Sequence, residues 1–256
     1  IKSDWLIKNS DLIIIEKYLI ENQIVNENSE LMRHLVNEYL SQSNLNKACE
    51  IFAQVKKPFS DNYLSKFSIY CLITQDKINE AQLLFDLKKE LGFSDKFYEK
   101  KIDYLFGYNT EPNLEISENS ILDFHLSHIT NPDFDFEPKD TTSKLIWKYL
   151  SSSNLLDSIQ NIEITDLKKI LTIEKATHDN NYTEKDLFEL YKRFQFSINQ
   201  LINVKQSNKL LSSTESRALI YQGILINSAP SQKIELISML KKSFLSENIE
   251  NAFDKE

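Results

Sequence analysis

Leu40 to Phe52 reads LSQSNLNKACEIF, and 33 residues later Ile73 to Phe85 reads ITQDKINEAQLLF. Each copy carries an apolar end, a polar turn and a second apolar run in which Ala48 and Phe52, or Ala81 and Phe85, stand one helical turn apart. A period of this length belongs to stacked helical hairpins, because one hairpin cannot bury its apolar face without a neighbour. With 3 Gly and 5 Pro in 256 residues, the chain lacks the punctuation of a sheet protein. The expected fold is therefore all-α: a right-handed superhelix of stacked antiparallel helix hairpins.

Start signals and apolar spacing place the helices. Ser3 or Asp4 opens a short helix with Trp5, Ser10-Asp11 opens the next through Leu19, and the two form a degenerate capping hairpin. Ser29 opens a helix that buries Met32, Leu35, Val36, Tyr39 and Leu40. After the turn at Asn44, the return helix carries Leu45, Ala48, Ile51, Phe52 and Val55. A second copy stops at Leu91-Gly92, and Ser94-Asp95 caps a helix ending at Gly107. Between Tyr108 and Thr142, Pro112, Pro132 and Pro138 bracket a single helix, Ser117 to His128. Beyond it, Tyr149 to Leu155 echoes the turn at Tyr39 to Leu45, so the hairpins are expected to resume. Thr183 with Asp186 reads as a capping box launching the longest helix, with Leu187, Leu190, Tyr191, Phe194, Ile198, Leu201 and Ile202 on one face. Leu210 to Ile226 and Ser231 to Leu245 pair across a break at Pro230, and Glu250 to Glu256 are expected to fray. The organisation expected is one solenoid over 1–256: repeats over 1–107, an irregular junction over 108–141 and further helical repeats over 142–256.

Leu35 and Tyr39, then Ala48 and Phe52, with Ala81 and Phe85 in the next copy, resemble the tetratricopeptide repeat, and the likeness covers residues 30 to 92. In that family a curved face built from the first helix of each pair binds peptides. The resemblance puts Arg33 and Asn37 on this face in one copy, and Tyr63, Lys66 and Tyr70 in the next. An Arg and an Asn one turn apart suit a carboxylate, and tyrosines supply amphipathic contact area. Phe67 stands where members that clamp a carboxyl terminus carry a polar residue, so the resemblance implies a groove rather than that clamp.

The remaining chemistry-bearing residues are sparse. His125 and His128 lie three apart beside Asp123, with Asp133, Asp135 and Glu137 in the following loop; nitrogen and carboxylate ligands so spaced could hold zinc. The bland alternative, histidines packed and hydrogen-bonded at a helix end, is the one expected. Glu215-Ser216 matches the dipeptide of lytic transglycosylases, without the Gly-rich segment that such a catalytic domain needs. No phosphate-cradling loop is present. Phe134 and Phe136, alternating with acids, are expected to fold back over the core. Cys49 and Cys71 are read as two buried thiols acting as small apolar residues; a disulfide between them is the alternative, and would favour the periplasm.

A net charge of −8 argues against a phosphate-backbone binder, so no nucleic acid is expected, and apolar runs such as Leu12 to Ile15 are far short of a bilayer span. The function expected is a non-catalytic scaffold or adaptor, with a protein or peptide partner and no cofactor or metal. The alternative is an accessory superhelical domain of a bacterial cell-envelope, peptidoglycan-associated protein. The expected setting is a bacterial one, periplasmic if a leader was removed before Ile1 and cytoplasmic otherwise.

Overall fold

Several helices in the computed structural model begin beside a short polar side chain that accepts from a first-turn amide, as Asn28, Asn44, Asp61 and Asp166 do, and the structure describes residues 2–54, 59–139 and 141–253. No strand occurs among the described residues. The chain divides into two units, Ile1–Pro138 with Lys148–Ser153, and Lys139–Trp147 with Asn154–Glu256. No helix among the described residues is long and apolar enough to cross a membrane.

In the first unit, α1 (Lys2–Asn9), α2 (Leu12–Glu21), α3 (Ser29–Ser41), α4 (Leu45–Phe52), α5 (Asn62–Thr74), α6 (Ile78–Glu90) and α7 (Lys96–Leu105) follow in order. The α3 helix packs on α4, and α5 on α6; α4 packs on α5, and α5 touches both α3 and α7. The repeated turn has one geometry in both copies. Ser43 and Asp76 take left-handed φ of 55° and 61°. The next amide reaches back five residues in each, Asn44 to the Tyr39 carbonyl and Lys77 to that of Leu72, both at 2.9 Å. Ala48 and Ala81 are both buried, as are Phe52 and Phe85. Val55 lies outside the described residues. Cys49 and Cys71 are not free thiols: they form a disulfide between α4 and α5. The correction comes from packing, because two adjacent helices bring together positions that spacing alone leaves unpaired.

The α8 helix (Ile121–Ile129) starts four residues later than its expected Ser117. The Ser120 hydroxyl caps it by accepting from the Asp123 amide at 3.0 Å, while the Ser117 amide donates to the Ser127 hydroxyl at 3.1 Å. Seven of its nine residues, Ile121 to Ser127, are buried. Phe134 and Phe136 fold back as expected, meeting Phe124 edge-on with ring centres 5.6 and 4.9 Å away. In α9 (Lys144–Ser152), the echoed turn lies beside its original: Ser152 donates to the Ser41 carbonyl at 2.7 Å, and the Ser153 and Ser43 hydroxyls are 2.6 Å apart. No return helix like α4 follows this echo. The chain runs instead into a 3-10 turn, Ile159–Asn161.

The second unit continues with α10 (Leu167–His178), α11 (Glu184–Lys192), α12 (Ile198–Ile202), α13 (Val204–Ser207), α14 (Ser213–Ile226) and α15 (Pro230–Ser246). The capping box of Thr183 and Asp186 forms, yet its helix ends at Lys192 and is not the longest. Two long-range hydrogen bonds from one side chain stop it. The Gln222 amide donates to the carbonyls of Tyr191 and Phe194 at 2.8 and 2.9 Å, taking acceptors that a further turn would need. Ser197 and Gln200 then form a fresh capping box that starts α12, which leaves Ile198 and Ile202 exposed. The break between α14 and α15 falls just before Pro230, which occupies the first turn of α15, where its missing amide costs nothing. The tail is not wholly frayed, since Ala252 is buried and Phe253 stacks on Phe244 at 5.8 Å. Residues 254–256 lie outside the described residues.

The core of this unit, around Leu187, Leu190, Leu219 and Leu240, encloses a charged pair. Arg217 and Glu174 are both fully buried. The guanidinium donates twice to that carboxylate, with Nε at 3.0 Å from Oε1, and reaches Glu247 at 3.2 Å; Tyr191 and Thr214 add donors to Glu174 at 2.5 and 3.2 Å. Charges this deep persist only when every lone pair and hydrogen is matched.

Candidate functional site

Of the five residues assigned to a binding face, Arg33 is exposed, Asn37 and Tyr63 are partly buried, and Lys66 and Tyr70 are buried. Arg33 and Asn37 lie one turn apart on α3, opposite Tyr63 on α5. The Arg33 Nε donates to Asp61 at 2.6 Å, and its guanidinium lies 5.3 Å from the centre of the Tyr63 ring. The Tyr63 hydroxyl donates to Asn37 Oδ1 at 2.6 Å. Asp61 does double duty, because it also caps α5 through the Leu64 amide at 3.0 Å. With 49% of its side chain exposed, Arg33 forms one wall of an open cleft of about 410 Å³, shared with Tyr63, Lys66, Phe93, Asp95 and Ser120.

Lys66 sits at the floor of this cleft, almost entirely buried, with its ammonium 2.8 Å from Asp95 and 3.0 Å from Asp123. Burial opposes the charged form of Asp95, but the Lys66 ammonium and the Tyr98 amide outweigh it and hold the carboxyl below its usual pKa. Asp95 also caps α7, and Tyr98 closes the arrangement by donating to the Lys66 carbonyl at 2.7 Å. Lys66 and Tyr70 therefore face α8 rather than open space: Asp123 meets the first and His125 the second. Sequence reading finds the α3 and α5 positions but misses their acidic partners. The only local signal for Asp61 and Asp95 is that each precedes a helix.

His125 is buried, and both of its ring nitrogens are used. Tyr70 approaches Nε2 at 2.8 Å and Tyr149 approaches Nδ1 at 2.9 Å. Burial, then the neighbouring His128, lowers the His125 pKa to about 3. The His128 Nδ1 lies 2.7 Å from the same Tyr149 hydroxyl. Among the described residues there is no group of three or more His, Cys, Asp or Glu side chains that could hold a metal ion. Glu215 caps α14, accepting from the Ser212 amide at 3.0 Å and hydroxyl at 2.6 Å, which gives the Glu215-Ser216 dipeptide a structural role. Chemically, the cleft offers balanced charges, an aromatic platform and hydroxyls, a set suited to holding polar groups.

Comparison with protein-family models, with curated proteins and with solved structures finds no match to this chain.

Proposed function

We propose that the chain is a non-catalytic protein- or peptide-binding module, whose first unit is a tetratricopeptide-like superhelical stack of hairpins. The 33-residue spacing of the two turns and the pairing of α3 with α4 and of α5 with α6 support the repeat reading. The observation that carries the binding reading is the open cleft lined by α5, the α6–α7 connection and the start of α8, with the half-exposed Arg33 of α3 on the Tyr63 ring. Arg33 commits Nε to Asp61, so its Nη donors serve a ligand carboxylate or backbone carbonyl, and Tyr63 and Phe93 supply contact area. The ligand class is a peptide segment that presents an acidic side chain or an extended backbone.

A displayed peptide library tests this reading. Sequences selected on the wild-type protein are expected to bind Arg33→Glu at least tenfold more weakly, with the helical content of the variant retained. Equal binding to both proteins removes the cleft as the recognition surface.

The disulfide between Cys49 and Cys71 favours one further reading, an accessory domain of a cell-envelope protein, because such bonds persist in oxidising compartments. Co-sedimentation with purified peptidoglycan is the expected result for that role. Protein left wholly in the supernatant removes it.

A further inference from the structure

Four side chains from three helices form an unbroken hydrogen-bonded chain inside the first unit. It runs from Tyr70 on α5 through His125 on α8 and Tyr149 on α9 to His128, one turn further along α8, with successive separations of 2.8, 2.9 and 2.7 Å. Tyr70, His125 and Tyr149 are buried, and His128 at the outer end is partly exposed.

A hydroxyl has one hydrogen, so Tyr149 can donate to only one of the two Nδ1 atoms it faces and must accept from the other. With both imidazoles neutral, donation running outward from Tyr70 satisfies every hydrogen in the chain. Tyr70 donates to His125 Nε2, His125 Nδ1–H donates to Tyr149, and Tyr149 donates to His128 Nδ1. The reverse direction leaves the buried Tyr70 hydrogen without an acceptor in the chain, at the desolvation cost of an unmatched donor.

We propose that this chain is a proton-operated clasp on α8: outward donation holds the helix against α5 and α9, and one proton taken up at His128 reverses the chain and loosens that hold. In the protonated state both nitrogens of His128 carry hydrogen, so Nδ1 can only donate. Tyr149 then turns its hydrogen to His125 Nδ1, and His125 carries its own on Nε2, directed at the Tyr70 oxygen. One proton enters from solvent and no other is gained or lost.

The surrounding charges do not substitute for this proton. Lys66 of α5 is paired with Asp123 of α8 and Asp95 of α7, and Lys148 beside Tyr149 is paired with Glu38 of α3 at 2.7 Å, near His34. Lys101 of α7 donates to the Asn113 carbonyl. The Phe134 ring lies 5.0 Å from His128, and Ser153 neighbours the Tyr149 hydroxyl. Burial lowers the pKa of His128, which sets the transition below the usual histidine range.

Side-chain nitrogen NMR on the full chain tests the clasp. At pH 8, His125 is expected as the Nδ1–H tautomer and His128 as Nε2–H. On acidification His125 is expected to change tautomer, still neutral, at the midpoint where His128 gains its charge, and amide protection in α8 is expected to fall at least tenfold there while α14 is unaffected. In His128→Gln, which keeps a polar partner but cannot titrate, both changes are expected to vanish while the fold is retained. A His125 tautomer that stays constant through the His128 titration, or α8 protection that does not respond to it, overturns the proposal.

Discussion

Cys49 of α4 and Cys71 of α5 are covalently joined, with Cα atoms 5.4 Å apart and a sequence separation of 22. The bond ties the second helix of one pair to the first helix of the next, and both cysteines are buried. Closing a loop of this length removes unfolded-state entropy worth about 3 kcal/mol. Cys49→Ala/Cys71→Ala is therefore expected to lose about that much stability in urea unfolding without reductant. Wild type treated with dithiothreitol under unfolding conditions should move to the same midpoint.

Arg217 and Glu174 make a different kind of link, whose cost appears only when it is half removed. Arg217→Met leaves a buried carboxylate with its cation gone and is expected to destabilise the protein by about 3–5 kcal/mol. Arg217→Met/Glu174→Leu removes both charges and should recover a large part of that loss. Chemical denaturation of the two variants, compared with wild type, checks the ordering.

Acid should weaken the first unit through His125. Its folded pKa of about 3 lies below the ordinary 6.5, so between these values the unfolded chain binds a proton that the folded chain refuses. Stability from this group is whole above pH 6.5 and is lost as pH falls toward 3, by up to about 1.4 kcal/mol per pH unit. Urea unfolding at pH 4.5 and 7.5 should show a smaller difference in His125→Gln than in wild type, since the carboxylates contribute equally to both.

Lys101 should act over another window. Burial lowers its pKa from 10.5 to about 8, so the unfolded state holds the extra proton between those values and stability from this group rises with pH across them. Lys101→Met should flatten the rise in thermal midpoint between pH 8 and 10.

Gly223 lets α13 approach α14. A Cβ at this position would stand 2.7 Å from a methyl of Val204, a stiff β-branched side chain. Gly223→Ala is thus expected to destabilise by about 1–3 kcal/mol through overpacking, although alanine is the better helix former. In a Val204→Ala background the clash is gone, and the same change should stabilise by about 1 kcal/mol. A double-mutant cycle from thermal midpoints measures that change of sign.

Local chemistry was enough to place most helices. Asp11, Asp95, Asp166 and Thr183 stand at helix starts where their side chains suggest, and the turns at Ser43 and Asp76 share one geometry because a cap or a tight turn depends on residues within one or two turns of itself. The same reasoning placed Arg33, Asn37 and Tyr63 on neighbouring helices. It failed after Lys192, where an apolar face runs on in sequence but Gln222, thirty residues away, takes the carbonyls. It also could not tell that Lys66 and Tyr70 would meet α8, that the cysteines would join, or that Arg217 would find Glu174. Helix starts and apolar faces are written into short stretches of chain, whereas the partner of a buried charge, thiol or hydroxyl depends on which distant segment the folded path brings alongside it.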